Sequence, residues 1–294
     1  MPRDTISADD LRSLEAGLDR LQTNQPVRTS ALRRATRSVL PPLIFLVALL
    51  VVWQLAVVLW QLPPDVLPTP GAVWSAVGAS WQSGVLPAAV TTSLGRGLAG
   101  FAIAIVVGTL LGVLLAEVRP LRRAIGPVVS GLMVLPSVAW VPAAILWFGM
   151  TDALVYFVVL MGAVPSIVNG LLSGCDQVSP QLRRVGRVLG AGPLQQATLV
   201  MLPAALPGYL AGLKQGWAFA WRGVLAAEII AVGGSLGAGV GALLQESRAA
   251  ENLAGVLAAI FVILIIGIVV ELAVLAPIER RVLRRRGLTP GGTQ

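Results

Sequence analysis

The chain has 294 residues, of which 56% are hydrophobic and only 12% charged, with a net charge of +8. Soluble domains carry about 25% charged residues, and one soluble core of this size could not hide so much apolar surface, so an integral membrane protein is expected. Histidine is absent and Cys175 is the single cysteine. Together these exclude His-based triads, His-ligated metals, intrachain disulfides and four-cysteine metal sites.

Residues 1–37 are polar. Ser7-Ala8-Asp9-Asp10 reads as a helix start, followed by Leu11, Leu14, Leu18 and Leu21 at helical spacing. A short amphipathic helix on a cytoplasmic tail is expected there. It is not a secretory signal, because the apolar block starts too late and lacks a small-residue cleavage pattern.

A membrane-crossing helix needs about 20 mostly apolar residues. Residues 39–62, 97–116, 153–175 and 252–270 each offer one. Residues 124–151 form an uncharged stretch with Pro127, Pro136 and Pro142, read as a kinked or oblique span. Residues 213–232 are read as the fifth span, interrupted by Arg222 and Glu228, with Lys214 near its start. The expected architecture is all-α and polytopic, with six transmembrane helices over residues 38–279. A basic cytoplasmic tail, 280–294, follows.

The arginines set the orientation. Arg28, Arg33, Arg34 and Arg37 precede the first span, and Arg119, Arg122 and Arg123 follow the second. Arg183, Arg184 and Arg187 follow the fourth, and Arg280, Arg281, Arg284, Arg285 and Arg286 follow the sixth. Every second connection is basic, as six spans with both termini in the cytoplasm require. The opposite connections hold only Arg248 and, at an edge, Arg96. This distribution accounts for the basic pI through membrane topology, and no nucleic-acid partner is expected.

The connection after the fourth span is no ordinary loop. Ser179 can cap a helix with Pro180 in its first turn, and the helix would run to about Leu189. Leu182, Val185 and Leu189 would share one face; Arg183, Arg184 and Arg187 would point elsewhere. Gly190-Ala191-Gly192-Pro193 would end it, and the pattern alone fits equally an interfacial helix that only anchors the loop. A second helical piece would reach Leu202-Pro203, with Pro207 ending the elbow.

This segment resembles the cytoplasmic loop of binding-protein-dependent ABC importer permeases, whose pattern is Glu-Ala-Ala, three residues, Gly, nine residues, Ile, one residue, Leu-Pro. Gly190, Val200 and Leu202-Pro203 match it at the right spacing. Arg184-Val185-Gly186 stands where Glu-Ala-Ala would be, so a charge-reversed mating surface is expected there. Six further phrases occur in order: LPTPGAVW (67–74), SLGRGLAGF (93–101), LPSVAWVPAAILWFG (135–149), AVPSIVNG (163–170), LPAALPGYLAGLK (202–214) and AWRGVLAAE (220–228). With IERRVLRR (278–285) they resemble the permease branch for nitrate, aliphatic sulfonates and taurine.

The resemblance implies a type I ABC importer permease fold in a prokaryotic plasma membrane. Its partners would be a second permease copy, two ABC ATPase subunits, an extracytoplasmic substrate-binding protein and membrane lipids. The cargo would be a small anion, aliphatic sulfonate or taurine first, then nitrate or bicarbonate. The chain would be a transport subunit, not an enzyme, with no catalytic residue, cofactor or metal. The phosphate loop G-x-x-x-x-G-K-[ST] is absent and Lys214 is the only lysine. The ATPase-coupling residues would be Pro180, Leu182, Arg183, Arg184, Val185, Gly186, Arg187, Leu189, Gly190 and Ala191.

Arg222, Asn169 and Glu228 are the pathway candidates, because polar and ionisable groups inside spans are costly unless they act or pair. Glu271 is a possible partner for Arg222. Lys214 is expected to snorkel to the headgroups, and Asp152 and Asp176, at span ends, to be satisfied by water. Gly108 and Gly112 are expected to pack within one chain. The competing class is an ATP-independent secondary transporter or channel subunit, which predicts internal repeats or mid-span carboxylates. No clear repeat is visible and such carboxylates are scarce. An intramembrane protease is disfavoured by the missing His and the lack of a mid-span Asp pair.

Overall fold

The computed structural model describes residues 31–192, 195–233 and 236–285. The expected amphipathic helix within residues 1–37 and the end of the basic tail, residues 286–294, lie outside that set. The described residues are overwhelmingly helical and contain no strand. They belong to two units divided between Leu59 and Trp60.

Among the described residues the first unit holds one helix, α1 (Ala31–Leu59), whose apolar stretch from Leu40 to Leu59 is almost entirely exposed. A helix that is apolar all round must bury itself in lipid or in protein.

The second unit contains α2 (Pro70–Gln82), α3 (Val85–Glu117), α4 (Arg119–Val134), a 3-10 turn (Ser137–Trp140) and α5 (Val141–Phe148). It continues with α6 (Asp152–Asp176), α7 (Pro180–Val188), a π turn (Gln196–Met201), α8 (Leu202–Ile230) and α9 (Val240–Ala249). α10 (Leu253–Val270) then leads through a second π turn (Glu271–Leu275) into α11 (Ala276–Arg285). Local chemistry sets many of these boundaries. Thr69 Oγ1 accepts from Ala72 N at 3.2 Å to cap α2, with Pro70 in its first turn. Asn252 Oδ1 accepts from Gly255 N at 3.0 Å to cap α10.

The core is a three-helix block of α3, α6 and α8, closed through glycine. Gly100 lies on Val159, Gly108 on Ile167 and Gly112 on Leu171. These partners advance together, so α3 and α6 run parallel. Gly108 and Gly112 thus pack within one chain, as expected. Between α6 and α8 the contact is backbone on backbone. Gly170 meets Gly212, and Gly174 meets Gly208 and Ala205, with no room for a Cβ. Here one number rises as the other falls, so the helices are antiparallel. Such small-residue seams let helices approach to van der Waals contact where lipid offers no hydrophobic drive. Trp217 fills the side of the block, edge-on to Phe101 at 5.4 Å and stacked on Trp221 at 6.2 Å.

Because α3 and α6 are parallel, residues 118–151 must carry the chain back along the whole block. They do so as a broken pair: α4 and the 3-10/α5 piece meet at 99°. Pro136 blocks continuation, and Leu135 before it is extended (φ −73°, ψ 121°). The expected kinked span is therefore two helices at nearly a right angle.

α8 also departs from expectation. It is continuous from the π turn at Gln196, and Pro207 lies inside it rather than ending an elbow. At 29 residues it is about 43 Å long. Among the described residues, four helices are long and apolar enough to cross a membrane, five if the bent pair is one span. α8 is not among them, since its charged residues and glycines dilute its hydropathy. Yet it runs antiparallel along α6, and so occupies the same depth.

Candidate coupling helix and two charged clusters

α7 forms because Pro180 suits a first turn and Gly190 can stop a helix. Gly190 has φ 80°, in the left-handed region. Ala191 N donates to Gly186 O at 3.0 Å and Gly190 N to Arg187 O at 3.0 Å. This pair of bonds is a Schellman closure, which satisfies the last carbonyls. Ser179 occupies the cap position without a side-chain cap bond. Gly186 abuts Gln196 and Val200 of the π turn, where a Cβ would crowd Gln196 Oε1.

The apolar face of α7 has no cover from the second unit. Leu182, Val185, Val188 and Leu189 are 49%, 54%, 85% and 80% exposed. Arg184 and Arg187 are exposed as well. The side chain of Arg183 lies outside the described set. This nine-residue helix thus presents an apolar face that the rest of its unit leaves uncovered.

The pathway candidates fall in different environments. Arg222 is exposed on α8, its guanidinium over the Phe219 ring at 5.4 Å to the centroid. Glu271, its suggested partner, instead binds Lys214 at 2.9 Å, and Lys214 also binds Glu279 at 2.9 Å. Lys214 is therefore tied to two carboxylates. Asn169 is exposed on α6, at an open cavity between α4 and α6.

Glu228 is fully buried. It accepts from Ser93 Oγ at 2.7 Å, Arg96 Nη1 at 2.9 Å and Gly241 N at 3.1 Å. Arg96 reaches Asp152 Oδ1 at 2.8 Å through Nε, and donates to Gly237 O at 3.2 Å through Nη1. Ser93 Oγ also accepts from Val240 N at 2.8 Å. Burying charge is tolerable only when it is paired and hydrogen-bonded, and this cluster meets both conditions. It joins α3, α6 and α8 to the loop over residues 236–239 and the first turn of α9. Gly239 and Gly241 lie so close to Glu228 that a Cβ would collide with its side chain.

The sequence reading missed this cluster. Its signal was Ser93 and Arg96, three residues apart on one helical face in an otherwise uncharged run. Asp152 is likewise corrected: Arg96 holds it, not water alone. At the opposite end Asp176, also expected to be water-satisfied, accepts from Arg122 Nη1 at 2.8 Å.

Comparison with known proteins places this geometry. A Bacillus subtilis protein provisionally named as an aliphatic sulfonates transport permease is 29% identical over 209 residues, 71% of this chain and 74% of that one. The nitrate import permease protein of Synechocystis is 29% identical over 182 residues, 62% of this chain and 65% of its own length. The chain thus spans just under two thirds of that relative. The bicarbonate transport system permease protein of Synechococcus elongatus is 29% identical over 192 residues, 65% of this chain and 68% of that one. Residues 104–284, more than half the chain, match the model of a single family. That stretch holds the bent pair, α6, the capped α7 and α8, and on it the chain belongs to the family of binding-protein-dependent transport system inner membrane components.

Proposed function

We propose that this chain is the membrane-spanning subunit of an ATP-driven ABC importer for a small anion, aliphatic sulfonate or taurine first, nitrate or bicarbonate next. Two copies would pair, two ATPase subunits would dock beneath them, and an extracytoplasmic binding protein would deliver cargo above. Residues 38–279 form the permease domain with six spans: α1, α3, the bent α4–α5 pair, α6, α8 and α10. Both termini face the cytoplasm of a prokaryote. The arginines following α3, those on α7 and those on α11 support that orientation through the positive-inside rule.

The observation that carries the reading is the uncovered apolar face of α7, closed by Gly190 and joined through the π turn to α8. ATP-driven closure of the ATPases would draw the two α7 helices together. α6 and α8 are fused along glycine backbones, so the push travels up the block as rigid-body motion. Each state is then favoured by a different ligand, ATP at one end and loaded binding protein at the other.

The test uses Val185→Asp on the full chain, co-expressed with an ABC ATPase subunit that co-purifies with the parent chain. Membrane level should be unchanged, because Val185 is an exposed residue. Co-purification of the ATPase and ATP-dependent uptake should both be lost. Uptake that persists without the ATPase would establish the channel or secondary-transporter alternative instead.

A further inference from the structure

At the end of the block where α7 emerges, α4 and α6 part to form an open cavity of about 460 Å³. That volume is in the range of about 300–1,000 Å³ typical of small-ligand sites. Its wall is mixed: Val129 and Leu172 are apolar, while Arg122 and Ser130 from α4, Asn169, Ser173 and Asp176 from α6, and Gln177 just beyond are polar. Asn169 lies seven residues inside Asp176, about 10 Å deeper at the helical rise. Ser130 lies eight residues inside Arg122, about 12 Å deeper. Both are exposed. Polar groups at such depth are costly against hydrocarbon, which argues for a wet cavity.

We infer that this cavity is an exit site for a small oxyanion, with Arg122 as its anchor and Asn169 and Ser130 as its inner donors. The inference deepens the importer reading and rests on it for direction, since that orientation puts this mouth in the cytoplasm. The chemistry is donor-rich: a guanidinium, two carboxamides and two hydroxyls. The one carboxylate, Asp176, is held by Arg122, and the pair is accessible, with side chains 35% and 53% exposed. A sulfonate or nitrate arriving from within the bilayer takes Arg122 from Asp176; Asp176 reclaims it as the anion leaves. Competition of this kind keeps a transit site weak enough to empty. Arg119, Arg123, Arg184 and Arg187 at the same end add positive potential that favours anions over cations.

A purely structural ion pair and an exit site predict different responses. The full-length chain, in nanodiscs of phosphatidylcholine, is titrated with ethanesulfonate, and in a parallel arm with nitrate, at constant ionic strength set by choline chloride. Asp176→Asn should tighten anion binding about tenfold by freeing Arg122, and Arg122→Ala should weaken it about tenfold. Asn169→Ala should weaken it severalfold. If Asp176→Asn and Arg122→Ala shift affinity in the same direction, or not at all, the pair is only a brace and the site is wrong. Competition by phosphatidylglycerol added to the nanodiscs would assign the donors to a lipid headgroup and also overturn it. Opposite shifts combined with no ATP-dependent uptake would keep the site while removing the importer reading. Uptake without the opposite shifts would do the reverse.

Discussion

The two ends of the block carry the same chemical pair in opposite settings. At one end Arg96 and Glu228 are sealed, with side chains 7% and 0% exposed; at the other Arg122 and Asp176 are 35% and 53% exposed. The sealed pair is committed. Its remaining hydrogen bonds go to Ser93, Asp152 and the backbone of residues 237–241, and moving it would strand charge in low dielectric. The accessible pair can exchange partners, because water and solutes reach both members. A guanidinium–carboxylate contact is thus a fastening where it is dry and an exchangeable contact where it is wet.

That contrast can be broken most forcefully at Glu228. Glu228→Ala leaves Arg96 buried with only half-exposed Asp152 as counter-charge, and should cost about 3–5 kcal/mol of stability. The full-length protein in detergent should show a lowered thermal midpoint and a dispersed elution profile. Replacing Arg96 and Glu228 together by apolar residues of similar volume should cost less than removing Glu228 alone, since no charge is then stranded. A double variant as damaged as the single would mean that the contact with the start of α9, not the charge, sets the cost.

A smaller effect is expected where the two ends are connected. Gly170→Val forces a side chain onto the backbone of Gly212 and should cost about 1–3 kcal/mol, seen as a lower thermal midpoint. Cysteine crosslinks between α6 and α8 should shift register at the same time. An unchanged midpoint would show that the two helices do not move as one body.

The smallest effect belongs to the accessible pair. Arg122→Ala should lower stability by at most about 1 kcal/mol, so its midpoint should lie close to the parent's. A loss as large as that of Glu228→Ala would put Arg122 in the fold rather than in an exchangeable site.

Much of this layout was legible in the linear chain. Apolar runs of membrane length stand out because the bilayer imposes one length scale. α7 was visible because Pro180 and Gly190 act locally and its apolar residues repeat at helical spacing. Gly108 and Gly112 were readable as a packing face because small residues at that interval make one wherever they fall on a helix. What local patterns do not reveal is the partners of charges: Lys214 meets Glu271, Asp152 meets Arg96 and Asp176 meets Arg122 in the folded chain. Pro207 misled for a related reason. It lies only about one turn inside α8, so it forfeits one backbone bond, and the packing of Ala205 and Gly208 on Gly174 carries the helix through.

The sequence by itself determined the helical class, the membrane setting, the boundaries of most apolar helices and the capped amphipathic helix, because periodicity, proline, glycine and hydropathy act over a few residues. Only the tertiary structure decided which charge meets which, the 99° break between α4 and α5, and the glycine seam that fuses α6 to α8. Arg96 and Glu228 are 132 positions apart, and no local rule spans that separation. Their meeting depends on the register of three helices, which is set by where a missing Cβ lets two backbones touch.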